Sequence, residues 1–165
     1  ALLGKELMTE NGLLTEQGSS TFWDRSTLYA LRGIYIAGQA DRATEFLSHY
    51  ARRRLLGDHV PYPIEAWPEG SQRHLAAESG LFCRVITEGL FGIRPTGFRS
   101  FDLTPSMPSG WNRMALRHIR AFENNFDLVI EKQPDGFLRV TLAISGRNPR
   151  AFRLRQGASL RIKLP

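Results

Sequence analysis

The hydrophobic residues of this chain change their spacing near Pro95, and this change constrains the fold more than any other feature. Before Pro95, apolar residues recur every three or four positions, as in an amphipathic helix. After Pro95 they alternate with polar residues, as in a strand with one buried face. The pattern predicts an α+β protein with two domains, a helical domain over residues 1–94 and a β domain over residues 95–165.

Three helices are predicted in the first domain. The second has the clearest apolar stripe, with the spacing i, i+3, i+4 and i+7: Ala43, Phe46, Leu47, Tyr50 and Ala51. The first runs from about Phe22 to Ile34, and the short connection Gly38-Gln39-Ala40 makes the pair an antiparallel hairpin. The third begins near Ser71 and ends before Gly92.

Antiparallel strands are predicted in the second domain. Apolar residues alternate along one segment in the order Leu138, Val140, Leu142 and Ile144. The turn sequence Gln-Pro-Asp-Gly at 133–136 joins this strand to residues 126–130 as a hairpin. The alternation recurs over residues 160–164. Such strands, each with one wet face, are what a β-sandwich needs, and we expect five to seven of them.

The helical domain needs further packing partners. Three or four helices leave apolar flanks uncovered, so we expect the rest of a larger helical barrel, or another subunit, to cover them. The chain has no initiator Met and begins within a segment that Leu2, Leu3 and Leu7 predict to be an amphipathic helix. Both observations lead us to expect a piece of a longer polypeptide.

Composition excludes several classes of function. The net charge of +6 and the pI of 10.1 suggest a test for nucleic-acid binding. However, the one basic run, Arg52-Arg53-Arg54, lies at the end of a predicted helix, where it complements the dipole. The sequence also has no basic patch interleaved with aromatic residues for base stacking. We therefore expect no nucleic-acid partner. No apolar run reaches the ~18 residues of a membrane span, so we expect no membrane partner. The single cysteine, Cys83, excludes an internal disulfide, and its apolar surroundings predict burial.

The loop at residues 59–74 has the features of a catalytic site. Prolines flank two acids, Glu65 and Glu69, and two aromatic residues, Tyr62 and Trp67, lie beside them. A stiff backbone holds a functional group in position without an ordering cost. Aromatic rings stack on sugars, and burial beside indole raises a carboxyl pKa, as general acids and bases require. The alternative is a structural loop in which the positive end of the dipole of the following helix stabilises Glu69.

A second candidate segment contains Trp23 and Asp24. Ser20 or Thr21 would cap the first helix and place both residues in its first turn. In one interpretation they lie at the mouth of the same cleft as the loop. In the other, Asp24 complements the helix dipole and Trp23 fills the core.

The third predicted helix carries further polar residues that bear on the loop. Glu78 is near enough to support the loop, and Glu88 is a structural hydrogen-bond partner. His74 could pair with Glu78 at i, i+4, but no other His joins them at ligand spacing, so we expect no metal.

Three segments carry a resemblance to a known family: Pro63-Ile64-Glu65-Ala66-Trp67, residues 70–74 (Gly-Ser-Gln-Arg-His) and residues 81–93. They resemble the end of the catalytic barrel in six-hairpin glycosidases of the α-L-rhamnosidase-like group. The resemblance implies the terminal helices of an α/α toroid followed by a C-terminal β-sandwich. It places the general base on Glu65, although Ile64 stands where the family often has Trp, and Glu69 is an additional acid.

The resemblance also implies an inverting hydrolase without a cofactor, acting on an oligo- or polysaccharide. The general acid would lie in the remainder of the catalytic barrel, so the 165 residues alone would not hydrolyse glycosides. Tyr62, Trp67, Trp23, Asp24 and His74 would contact the sugar. A periplasmic or secreted location follows from the resemblance alone.

Two further classes of function remain open. The first is a non-catalytic carbohydrate-binding or structural module built on the β domain, which predicts sugar binding that survives loss of Glu65. The second is a helical interaction domain whose basic strands meet an acidic partner. It predicts salt-sensitive binding and no response to sugars.

Overall fold

The computed structural model describes residues 8–9, 12–14, 22–54, 66–67, 76–121 and 123–165. These residues form three helices and two antiparallel sheets, together with two short strand pairs, so the fold class is α+β. The chain divides into two compact units, Ala1–Leu90 and Phe91–Pro165. The division comes earlier than the sequence boundary at Arg94-Pro95, because the first strand of the β unit begins at Ile93 and contains Pro95.

The described part of the helical unit contains three helices and four short strands. The helices are α1 (Asp24–Ile36), α2 (Ala40–Arg54) and α3 (Ala76–Arg84), and α3 continues as a wider π-helical turn over Val85–Leu90. Four two-residue strands form two antiparallel pairs: β1 (Met8–Thr9) with β2 (Gly12–Leu13), and β3 (Phe22–Trp23) with β4 (Ala66–Trp67). No helix within the described ranges is both long and apolar enough to cross a membrane.

Helices α1 and α2 bury most of the residues that their periodicity predicts. Ala43, Phe46 and Tyr50 of α2 are buried as expected, whereas Leu47 and Ala51 are only half-buried. On α1 the helix begins only at Asp24, so Phe22 packs from a strand and not from the helix. Tyr35, fully buried, takes the core position expected of Ile34, and its hydroxyl lies 2.8 Å from Thr44 Oγ1 of α2. Burial raises the pKa of Tyr35.

The π-helical turn packs against α1 through a glycine. A Cβ on Gly89 would lie 3.1 Å from Cδ2 of Tyr35, so the missing side chain permits the close approach of the two segments. In the same turn Glu88 accepts hydrogen bonds from Arg84 and from Arg32 of α1. The bonds from Arg84 first, and then those from Arg32, lower the pKa of Glu88. The structural role predicted for Glu88 is confirmed.

Cys83 departs from its expected environment. The residue is exposed, whereas its apolar neighbours in the sequence predicted burial. The nearest buried hydrophobic residues lie two positions before and after it, at Leu81 of α3 and Val85 of the π-helical turn. Two positions along a helix turn a side chain through roughly 200°, which places Cys83 opposite both of them.

The β unit contains two antiparallel sheets. One has the strand order β11-β6-β5, with β5 (Ile93–Gly97), β6 (Ser100–Leu103) and β11 (Leu160–Lys163). The other has the order β10-β9-β8-β7, with β7 (Arg113–Ala121), β8 (Asn124–Lys132), β9 (Phe137–Ile144) and β10 (Arg150–Arg155). Residues 91–121 and 123–165 thus form seven strands, within the expected range.

Each sheet buries one set of alternating residues. On β9 the four predicted positions, Leu138, Val140, Leu142 and Ile144, are all buried. They lie opposite residues of β8 in the register of the predicted hairpin. The three-stranded sheet buries Phe101, Leu103 and Ile162. The ring of Phe101 stacks on that of Phe126 of the other sheet, with centroids 6.0 Å apart, so the two sheets share apolar contacts.

Gly92 marks the start of the β unit and has no room for a side chain. Its φ is +65°, and a Cβ would lie 2.0 Å from the carbonyl oxygen of Thr104. That residue's N–H donates to Gly92 O at 3.0 Å. We expect Gly92→Ala to lower the free energy of unfolding by at least about 2 kcal/mol, because it combines a left-handed backbone with a collision.

Urea unfolding of the β unit would measure this cost. Gly136→Ala is the matched control, because Gly136 has a φ of +80° but nothing within 4 Å of the added Cβ. It should cost only about 1 kcal/mol. Equal costs for the two substitutions would show that the contact with Thr104 contributes nothing.

A charged row crosses the three-stranded sheet. Asp102 of β6 lies opposite Arg94 of β5 and Arg161 of β11, and its carboxylate accepts hydrogen bonds from both guanidinium groups. Hydrogen bonds from Arg161, and then from Arg94, lower the pKa of Asp102. The carboxylate therefore stabilises the folded state above its unfolded pKa of about 3.9, and this stabilisation disappears as the pH falls through the lower folded value.

Asp102→Asn should therefore lower the Tm of the β unit at neutral pH and weaken its acid dependence. The amide cannot gain or lose a proton in this range, so the variant should lose less stability than the wild type below about pH 4. Thermal unfolding across this range measures both effects. Parallel pH profiles for the two proteins would mean that other carboxylates cause the acid response.

Candidate functional site

The sequence-predicted site residues divide into two groups. Glu65, Glu69, Tyr62 and His74 lie outside the described residues. Trp67 is described through its backbone, as part of β4. Trp23 and Asp24 are described in full. The described part of the site is therefore the start of α1 together with the segments that meet it.

The pairing of β3 with β4 brings the two candidate segments together. Phe22 pairs with Trp67 and Trp23 pairs with Ala66, in an antiparallel register. The backbone that carries Trp23 and Asp24 thus runs beside the segment that carries Trp67 and that continues from Glu65 in the sequence. Residues more than forty positions apart in the sequence are therefore neighbours at the start of α1.

Trp23 lies in an extended segment and not in the helical turn that the sequence predicted. It lies at the N-cap of α1 with an extended backbone, φ −78° and ψ 118°, and it belongs to β3. The expectation that it lies in the first turn is wrong, since the helix begins one residue later. Trp23 is 37% exposed, so it does not fill the core as one interpretation held. Its carbonyl oxygen accepts a hydrogen bond of 3.1 Å from Thr27 Oγ1.

Asp24 is a structural residue in this geometry. Its side chain is fully buried, and Oδ2 accepts a hydrogen bond of 3.1 Å from the hydroxyl of Tyr50 on α2. It occupies the first turn of α1, where the positive end of the helix dipole stabilises a carboxylate. A fully buried carboxylate does not reach a sugar in solvent, so the dipole interpretation fits Asp24 better than the predicted contact with substrate.

The neighbouring Arg25 anchors α3 to α1. Its Nε and Nη2 lie 2.8 and 2.7 Å from Oε1 of Glu78. The pair is asymmetric, because the side chain of Arg25 is 50% exposed and that of Glu78 is fully buried. A half-exposed guanidinium therefore compensates a carboxylate that has lost its hydration.

The second carboxylate oxygen of Glu78 is unusual. Oε2 is buried and, within the described part of the chain, no hydrogen-bond donor reaches it. Unpaired buried acceptors are rare in folded proteins, because each one loses its bonds to water without replacement. Glu78, in the first turn of α3, is thus a second buried acid beside the first turn of α1, which carries Asp24.

The sequence contains part of this arrangement. Glu78 was expected near the loop, and the structure places it beside the first turn of α1. Arg25 and Tyr50 were missed as partners, since they are 53 and 26 positions from the acids that they contact. No spacing rule connects residues so far apart. In the described ranges, no group of three or more His, Cys, Asp or Glu side chains could hold a metal ion.

Comparisons of this chain with models of protein families, with curated proteins and with solved structures give no match in any of the three.

Proposed function

We propose that this chain is the C-terminal part of a glycoside hydrolase, containing the last helices of an α/α barrel and a β-sandwich. The observation that carries the proposal is the pairing of Phe22–Trp23 with Ala66–Trp67. It joins the two segments in which the sequence combines acids with aromatic residues. The resemblance to six-hairpin glycosidases rests on residues 63–93, which include one of these two segments.

The exposure of Trp23 supports a carbohydrate substrate. An indole that is 37% exposed at a helix N-terminus is available for contact with a ligand. The apolar faces of a pyranose pack against such rings, while neighbouring polar groups bind its hydroxyls. The backbone of Trp23 pairs with that of Ala66, which fixes the position from which the indole ring extends.

In the proposed mechanism, Glu65 is the general base. Its carboxylate takes a proton from a water molecule, and the water oxygen attacks the anomeric carbon as the glycosidic bond breaks. A carboxylic acid elsewhere in the barrel gives a proton to the leaving oxygen, at about 6.5–9.5 Å from the base in an inverting enzyme. Glu69 is the alternative base, since both acids share the proline-flanked loop.

The buried acids would hold this site in place. Tyr50 fixes Asp24, and Arg25 fixes Glu78, so three helices meet at the start of α1. A site built on such contacts keeps its geometry through the reaction. We therefore assign Asp24 and Glu78 to positioning, and Glu65 to proton transfer.

The β unit supports the C-terminal β-sandwich of the proposal. Each of its sheets buries one face, and Phe101 of one sheet stacks on Phe126 of the other. Two antiparallel sheets that share side chains in this way have the layered arrangement of a sandwich. A periplasmic or secreted location remains part of the proposal and follows from the family resemblance alone.

A non-catalytic carbohydrate-binding or structural module is the second candidate. The contacts of Arg153 and Arg155 with the ring of Phe137 favour it, because these residues of β9 and β10 all belong to the β unit. The two candidates differ in what the acids do. A module binds sugar equally well when Glu65 is replaced and releases no product.

An assay of the 165-residue chain beside the longer polypeptide tests the proposal. A panel of plant and host polysaccharides is incubated with each, and released reducing sugar is measured. We expect turnover from the longer polypeptide only, because the general acid lies outside these residues. Turnover by the isolated chain would contradict the proposed division of the active site. Absence of turnover by either protein, with retained sugar binding, would favour the module.

A further inference from the structure

The net positive charge of this protein comes from the β unit. Residues 91–165 contain 13 Arg and Lys against 5 Asp and Glu, a net charge of +8, whereas residues 1–90 contain 9 against 11, a net charge of −2. Eleven of the 13 basic residues are arginines. The basic pI of the chain is therefore a property of one unit, and the guanidinium group is its main carrier.

Several of these arginines form a row across the outer face of the four-stranded sheet. The strand register aligns Arg113 of β7, Glu131 of β8, Arg139 of β9 and Arg153 of β10. These positions alternate with the buried residues of the same strands, so their side chains point to solvent. Arg155, two residues after Arg153, lies opposite Phe137 on the same face. We call these five charged residues the arginine row.

The arginine row contains an unfavourable pair. Arg139 and Arg153 lie directly opposite each other, and like charges in this position destabilise a sheet. Arg153 is compensated by Asp135, with Nη2 2.6 Å from Oδ2. Glu131, on the other side of Arg139, contacts Arg113 at 3.4 Å. Within residues 91–121 and 123–165, neither Arg139 nor Arg155 forms an ion pair.

We propose that the arginine row binds the carboxylate groups of an acidic polysaccharide, a polyuronate. This inference rests on the proposed function, since it identifies the class of substrate. The protein's own carboxylates show how these guanidinium groups are satisfied, as Asp135 does for Arg153. A uronate carboxylate would give Arg139 the same partner and would relieve its repulsion with Arg153.

The shape of this face suits an extended chain. A depression of about 330 Å³ lies beside Arg139 and Arg153 and is also lined by Gln133, Asp135, Ala151 and Phe152. The next row across the same strands consists of small or short side chains: Ala151, Thr141, Val129 and Ala115. A polysaccharide could therefore lie across the strands beside the charged row without meeting a bulky side chain.

Protection of a sheet edge and binding of nucleic acid each account for less of the arrangement. Charges on an edge strand prevent pairing with another chain, which fits Arg153 and Arg155 on β10. Arg139 lies on β9, an interior strand, so it needs another reason. Nucleic-acid binding would favour open aromatic faces for base stacking. The ring of Phe137 instead carries Arg153 at 3.8 Å and Arg155 at 5.6 Å.

The test measures binding of the 165-residue chain to polygalacturonate by affinity gel electrophoresis. We expect retardation that methyl esterification of the polysaccharide abolishes, because the ester removes the charge and keeps the sugar. The double substitution Arg139→Gln/Arg155→Gln should weaken binding at least tenfold. Arg120→Gln/Arg147→Gln, which removes two exposed arginines outside the row, is the matched control and should retain the wild-type affinity.

Arg139→Lys separates the fork geometry from charge and guards against misfolding of the double variant. It keeps the charge but loses the two-pronged hydrogen bond, so its affinity should fall between those of the wild type and the double variant. The absence of binding to polygalacturonate would overturn the proposal. So would equal weakening by the two double variants, or tighter binding to duplex DNA or to a sulfated glycan than to polygalacturonate.

The same experiment separates this inference from the proposed function. Glu65→Gln should leave polyuronate binding unchanged, because Glu65 is not part of the β unit. Binding without turnover by the longer polypeptide would support the arginine row and contradict the hydrolase. Turnover without binding to polygalacturonate would support the hydrolase and contradict the role of the arginine row.

Discussion

Glu65→Gln, made in the proposed full-length hydrolase, is expected to lower kcat by about 10²–10⁴-fold and to leave KM nearly unchanged. The amide keeps the size of the carboxyl group but cannot accept the proton of the attacking water. Contacts with the sugar persist, so binding of substrate changes little. Initial rates over a range of substrate concentrations separate the two constants.

Glu69→Gln is the matched control, since it makes the same change four residues later in the sequence. We expect a small effect on kcat. A large loss with Glu69→Gln and a small one with Glu65→Gln would move the base to Glu69. If both variants keep the wild-type kcat, neither acid is the base, and the proposed mechanism is wrong.

The second large effect is expected at Arg25, and it concerns stability. Arg25→Ala should destabilise the helical unit by about 3–5 kcal/mol, because it leaves the Glu78 carboxylate buried without its partner. Glu78→Gln should cost less, about 1–3 kcal/mol, because it removes the buried charge and leaves a guanidinium that is half exposed to water.

Urea unfolding, followed through NMR signals of the helical unit, would measure both substitutions. The double variant Arg25→Ala/Glu78→Gln provides the sharper test. We expect it to be more stable than Arg25→Ala alone, since the second change removes the uncompensated charge. Additive costs would mean that Glu78 is not destabilised by the loss of Arg25.

The sequence predicted those features that depend on local periodicity. The stripe of α2 and the alternation of β9 were found because each buries residues at its own characteristic spacing. The turn at 133–136 was found because Pro, Asp and Gly each favour a turn conformation there. The class α+β follows from these elements, and it is confirmed.

Features that depend on distant partners were not predictable from spacing. The sequence placed Trp23 in a helical turn, but pairing with Ala66 draws it into a strand and delays the helix until Asp24. Tyr35 takes the core position expected of Ile34, and its hydroxyl contacts Thr44 of α2, a partner that spacing does not identify. Arg25 and Glu78 come into contact only when α1 and α3 have packed together.

The strand pair β3–β4 also bears on the order in which the molecule assembles. It contains only two residue pairs, yet it closes a loop that runs from residue 24 to residue 65. The entropic cost of closing such a loop exceeds the stabilisation that two residue pairs provide. The cost falls if α1 and α2 have already packed together, because the remaining flexible loop is then shorter. We therefore expect the structure around Trp23 to form late in folding and to unfold first in mild denaturant. Its amide protons should exchange before those of the helices.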